Sequence, residues 1–175
     1  MAQEWHRTLY QGVGGVPVPY YVGEVRDSDQ RFPELIGYGV QVGASKCVRS
    51  ADVPHALSSY EAAMRAAIAR VDALIPVGQQ PTDAARLTAV VELAAVSHGE
   101  WIRIHPFANG NGRTARLWVA WIAARYGLPL LLSVKPRPDS NLYAIAAQLS
   151  MIGNHGQMAL YLGDRLQEAL RNQRS

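Results

Sequence analysis

The spacing of apolar positions changes character along this chain of 175 residues. Between residues 9 and 43, glycines, prolines and β-favouring side chains dominate, as in Gly12-Val13-Gly14-Gly15-Val16-Pro17-Val18-Pro19 and Gly37-Tyr38-Gly39-Val40-Gln41-Val42-Gly43. That pattern predicts loop and short strands, with a hairpin around Ile36 to Val48. From about His55 to Leu74 the spacing becomes helical and stops before Pro76. A second helix follows Pro81, with Thr82 as N-cap and Leu87, Val90, Val91, Ala94, Ala95 and His98 along one face. A third spans Arg113 to Tyr126, with Gly127 as its C′ stop and Pro129 just beyond. After Pro138 a cap at Asp139 or Ser140 opens a helix through Leu149, and a last helix runs from about Gln157 to Leu170. The prediction is a mainly α fold with a small β-hairpin. An irregular arm over residues 1–35 packs on a domain over 36–175, one domain overall.

Composition narrows the function classes. Hydrophobic residues make up 49% and charged residues 18%, and no apolar run reaches membrane-spanning length, so a cytoplasmic protein without membrane contact is expected. The single cysteine, Cys47, excludes an intrachain disulfide and a cysteine-rich zinc site and reads as a small buried apolar residue. A net charge of +3 with scattered basic residues gives no nucleic-acid stripe. His6, His55 and His155 have no acidic or cysteine partners at ligand spacing, so they are expected at the surface or at helix caps. His98, on an apolar helix face, reads as a hydrogen-bonded core histidine.

The chemistry concentrates in His105-Pro106-Phe107-Ala108-Asn109-Gly110-Asn111-Gly112-Arg113-Thr114-Ala115-Arg116. A histidine has a useful neutral fraction near pH 7, which makes His105 the candidate general base. Gly110-Asn111-Gly112 permits a backbone turn whose N–H groups converge on an anion, and it sits at a helix N-terminus, where the macrodipole adds to the attraction. Arg113 and Arg116 share one helix face and can each bind phosphate oxygens bidentately. A polyphosphate is the expected guest.

This run resembles the signature of the Fic family, His-Pro-Phe-x-(Asp/Glu)-Gly-Asn-Gly-Arg-x-x-Arg, at every defined position except Asn109. The resemblance implies a Fic-type helical bundle that transfers AMP from ATP to a Ser, Thr or Tyr hydroxyl of a target protein. Relatives transfer UMP, phosphocholine or a phosphate. By this resemblance His105 would deprotonate the target hydroxyl and Phe107 would anchor the loop. Gly110, Asn111 and Gly112 would form the anion hole, Arg113 and Arg116 would hold the β- and γ-phosphates, and the hairpin would be the flap that pairs with the target backbone. Tyr143 is a candidate contact to the nucleobase. Asn109 stands where the family has an acidic residue that helps hold Mg²⁺, and an amide oxygen should bind that hard cation more weakly. A slower AMP transferase, a transferase of another phosphate-containing group, and a catalytically idle interaction module all remain open on this residue.

The family's inhibitory pattern, Ser/Thr-x-x-x-Glu followed by Gly or Asn, is met only in its spacing, by Thr88 to Glu92 within a core helix. The expectation is that a separate small antitoxin supplies the glutamate to Arg116, or that the neutral residue at position 109 makes restraint unnecessary.

Overall fold

The computed structural model describes residues 1–11, 22–27 and 29–172. Its elements are helix α1 (Ala2–Tyr10), strands β1 (Gln41–Val42) and β2 (Ser45–Lys46), and helices α2 (Val53–Leu74), α3 (Ala84–Ile104), α4 (Asn111–Arg125), α5 (Asn141–Ser150) and α6 (Gly156–Asn172). The mainly α fold with one small hairpin is therefore observed. The hairpin is minimal: β1 and β2 are antiparallel, with Gln41 opposite Lys46 and Val42 opposite Ser45.

Local chemistry sets the helix ends. Asp83, one residue beyond the expected Thr82, caps α3 by accepting the Arg86 N–H at 2.8 Å. Gly127 stops α4 as expected. At a φ of 60° it donates to Ala124 O, and Leu128 N donates to Ala123 O at 2.9 Å, so the last carbonyls of α4 are satisfied. Ser140 caps α5.

The N-terminal region departs from the sequence reading. Residues 2–10 form a helix in place of the irregular arm expected over 1–35, because Ala2, Trp5 and His6 fall on one face and pack inward. The Gly12–Pro19 cluster lies outside the described residues. Helix α3 is the axis of the bundle, packed against α2, α4, α5 and α6. Trp118 on α4 gathers Trp5 (5.1 Å between ring centroids), Tyr60 (5.7 Å), Trp121 (5.8 Å) and Trp101 (6.1 Å), which ties α1, α2 and α3 to α4. Cys47 is buried as expected. Among the described residues no helix is long and apolar enough to cross a membrane.

Candidate active site

Two left-handed residues define the loop between α3 and α4. His105 terminates α3 with a φ of 52°, and Gly110 opens α4 with a φ of 81°. The left-handed turn takes His105 out of the helical path. Its Nδ1 lies 3.0 Å from Ile102 O, so Nδ1 carries the proton and donates it, leaving the Nε2 lone pair as the basic site. Burial pulls the His105 pKa below its ordinary value; the hydrogen bond to Ile102 acts the other way, and the charge of Arg26 lowers it further. The imidazole is thus held neutral at pH 7, in the tautomer a general base requires.

The middle of the loop is locked from both sides. Phe107 is fully buried, 4.0 Å from the His6 ring centroid and 5.9 Å from that of Trp101, and so anchors the loop as expected. The Asn111 side chain does not face the anion position. It accepts from Phe107 N at 2.9 Å and donates to Phe107 O at 2.7 Å, so any contribution from Asn111 to an anion hole is its backbone N–H. The Gly110 N–H is engaged with Asn109 Oδ1 at 2.7 Å. The first-turn N–H groups of Asn111, Gly112 and Arg113 therefore form the open end of α4, since helical geometry gives them no intrahelical acceptor. Gly110 cannot be replaced without strain: a Cβ there would lie 2.8 Å from Tyr10 Oη and 2.9 Å from His6 Nε2.

His6 corrects the expectation of a surface or capping residue. Its ring is 1% exposed; Nδ1 accepts the Gly23 N–H at 2.8 Å and Nε2 donates to Asn109 O at 2.9 Å. A ring with one donor bond, one acceptor bond and an aromatic face on Phe107 belongs in a core. Burial lowers its pKa, and the hydrogen bond to Asn109 O opposes that shift. His155 is likewise half-buried and paired with Glu100 at 3.1 Å.

The two arginines have different settings. Arg113 donates to Tyr10 Oη, with its guanidinium carbon 4.6 Å from the Tyr10 ring centroid. Arg116 is buried; its Nε and Nη2 donate to Val134 O at 3.1 and 2.8 Å, and Nη1 reaches Tyr143 Oη at 3.5 Å. Neither forms an ion pair with a carboxylate among the described residues. Tyr143 is 3% exposed, and His98 Nε2 lies 2.9 Å from its hydroxyl. Its surroundings make it a brace for Arg116 within the bundle, and the expected nucleobase contact has no open ring face to use. Arg116 can only donate, so the Tyr143 proton is directed to His98 Nε2, and His98 is the hydrogen-bonded core histidine expected. Desolvation drives the His98 pKa to about 3, with Arg116 and His155 adding to the shift.

Mg²⁺ fits these residues poorly. Asn109 offers one neutral amide oxygen that already accepts the Gly110 N–H, and no group of three His, Cys, Asp or Glu side chains able to hold a metal occurs among the described residues. A cavity of about 600 Å³ lies elsewhere, between α3 and α6, lined by Leu87, Thr88, Val91, Glu92, Leu160 and Leu166 among others and containing none of the loop residues. Sequence reasoning missed Tyr10, Arg26 and His6. The His6-x-x-x-Tyr10 spacing, which puts both rings on one helical face, was the available signal for the first and last of these.

His105 at the end of α3 and the Gly110 turn at the start of α4 mark a helical domain of Fic type. The Fic/DOC family model matches residues 1–123, and the chain belongs to this family. The solved structure of Fic-1 (residues 134–508) from Caenorhabditis elegans shares the fold, with a TM-score of 0.61 and 24% identity over 98% of this chain and 41% of that one. The Nematostella vectensis protein adenylyltransferase Fic is 38% identical over 73 residues, covering 41% of this chain and 16% of its own length. A uridine 5'-monophosphate transferase from Xanthomonas campestris is 49% identical over 39 residues, covering 22% of this chain and 7% of its own. The chain thus spans a small part of the curated relatives it matches.

Proposed function

We propose that this protein is an adenylyltransferase that moves AMP from ATP onto a Ser, Thr or Tyr hydroxyl of a target protein. The observation that carries the reading is His105: a neutral imidazole with Nδ1–H fixed on Ile102 O and Nε2 unprotonated, one loop away from a helix N-terminus and from two arginines that form no ion pair with a carboxylate among the described residues. In the reaction the target oxygen attacks the α-phosphorus, His105 Nε2 takes the hydroxyl proton, and the bond from Pα to the bridging oxygen breaks as pyrophosphate leaves. Arg113, Arg116 and the first N–H groups of α4 stabilise the charge that develops on the phosphates. The residues assign no step to a metal; Mg²⁺ enters this reading only as a companion of ATP. The ATP requirement makes the cytoplasm the expected setting.

Transfer of another phosphate-containing group, UMP first, is the second reading, and Asn109 together with the similarity to a UMP transferase favours it. Incubating a lysate with the protein and α-³²P-labelled ATP, UTP or GTP separates the two. Label from ATP alone supports the first, and label from UTP alone replaces it. Nucleotide binding with no label from any of them would favour an idle interaction module.

Among the described residues Arg116 forms no ion pair with a carboxylate, and Thr88 and Glu92 line the cavity between α3 and α6, which supports external restraint in place of an internal one. The protein then acts as the toxin of a pair whose small antitoxin offers a glutamate to Arg116. Full activity of the isolated chain in cells without growth arrest would rule that arrangement out.

A further inference from the structure

We propose that Arg26 is a positioning residue whose guanidinium fastens both feet of the hairpin to the backbone of the base, and so sets the height at which a target strand meets His105. The inference rests on the adenylyltransferase reading above and on the flap role that the family resemblance implies for the hairpin. Arg26 is fully buried, and among the described residues it forms no ion pair with a carboxylate.

Its donors go to carbonyls of three segments. Nη1 donates to Tyr38 O at 2.7 Å, just before β1, and Nη2 donates to Val48 O at 3.0 Å, just after β2. Nη2 also reaches Ile104 O at 3.0 Å, and Nε donates to His105 O at 2.8 Å. The Arg26 backbone N–H donates to Pro106 O at 2.8 Å, while Val25 forms a bridge with Phe107. The residue is therefore attached to the hairpin through its side chain and to the His105 loop through both side chain and backbone.

Physical chemistry explains why arginine stands there. A buried charge is expensive unless hydrogen bonds replace its hydration, and here the acceptors include the last carbonyls of α3, the negative end of its macrodipole. The planar fork supplies five N–H donors in fixed directions, whereas a lysine ammonium supplies a compact charge on a flexible stem and cannot reach four carbonyls in three segments. The left-handed His105 turns its carbonyl away from the helical path, and Arg26 Nε is the donor that receives it. The side-chain acceptors of Arg26 thus belong to the target-docking hairpin and to the base. β1 and β2 pair with each other, which leaves a short edge for an extended target chain.

The test compares the wild type with Arg26→Gln and Arg26→Lys by amide hydrogen exchange over residues 38–48, ATP affinity by calorimetry, and labelling of lysate proteins from α-³²P-ATP. Both variants are expected to bind ATP within about twofold of the wild type, to exchange the hairpin amides at least about tenfold faster, and to lose at least about tenfold in labelling, with lysine recovering only part. A merely structural role would lower ATP affinity in step with labelling. Unchanged hairpin exchange, equal loss of ATP affinity and labelling, or full rescue by lysine would overturn the proposal. Should Arg26→Gln not fold, Arg26→Lys, which keeps the charge, decides by the same criteria. If the wild type itself labels nothing, the adenylyltransferase reading fails, and the exchange data still judge the hairpin attachment.

Discussion

Arg113 and Arg116 lie one turn apart on α4, yet their surroundings differ as a rim differs from a core. On the rim, Arg113 rests on the Tyr10 ring and hydroxyl, next to the Asn109 carbonyl held by His6. In the core, Arg116 is fixed by the Val134 carbonyl and by Tyr143, which is itself bonded to buried His98. A phosphate at Arg113 must displace or share a contact with a partly exposed tyrosine, whereas one at Arg116 meets a guanidinium whose direction is already set. Preorganised charge contributes most to a transition state because it does not have to reorient as the reaction proceeds. The core arginine should therefore carry the larger share of catalysis, and the rim arginine should be the adjustable one.

The largest expected effect that could break this contrast is from Arg116→Ala. It should cut kcat/KM by about 10²–10³-fold and destabilise the protein by about 1–3 kcal/mol through the unpaired Val134 carbonyl. Arg113→Ala should cost only about tenfold in rate, with a stability change of about 1 kcal/mol or less for the lost contact with Tyr10. Equal losses, measured by initial rates and urea midpoints, would erase the distinction.

Acid probes the core side next. In the native state His98 stays neutral down to about 3, whereas the unfolded chain protonates it near its ordinary 6.5. The unfolded state therefore binds more protons in that window, and stability should fall as pH drops from about 6.5 towards 3, at up to about 1.4 kcal/mol per pH unit for this one group. His6 and His105 shift in the same direction and add to the loss. His98→Gln should flatten the dependence between pH 7 and 4.5, and parallel wild-type and variant curves would contradict the placement of His98.

Smaller effects are expected on the rim. Asn109→Asp restores a carboxylate at the loop and should lower the Mg²⁺ concentration for half-maximal activity by several-fold, on the order of one carboxylate ligand's contribution. An unchanged Mg²⁺ dependence would mean that position 109 faces no metal. Tyr10→Phe removes one hydroxyl from Arg113 and keeps the ring, so ATP affinity should change by no more than about threefold, within the modest range for a single net hydrogen bond.

Most of this architecture was legible in the sequence where short-range rules decide. The period of Leu87 to His98 marked α3, though not its end at Ile104, the helix stopping at Gly127 matched α4 to within two residues, and the run from His105 to Arg116 fell on the loop and first turn that join them. What was hidden depends on long-range burial. His6 looked like a surface residue because nothing in its neighbours in sequence reveals Gly23 or Asn109 as partners. Arg26 sat in a stretch read as loop, and its acceptors at Tyr38, Val48, Ile104 and His105 are carbonyls, which carry no signature in the sequence. The aromatic ring of Tyr143 suggests a base contact, whereas in the structure its hydroxyl meets His98 and Arg116, partners far away in sequence.

The central claim is that His105, neutral and held by Ile102, serves as the base for transfer of AMP. Intact-mass analysis of the protein and of lysate proteins after incubation with ATP and Mg²⁺, for wild type and His105→Ala, tests it most directly. The account predicts an adenylyl adduct with the wild type and its loss, by at least about 10²-fold in rate, with the variant. An adduct formed equally well by His105→Ala would contradict it.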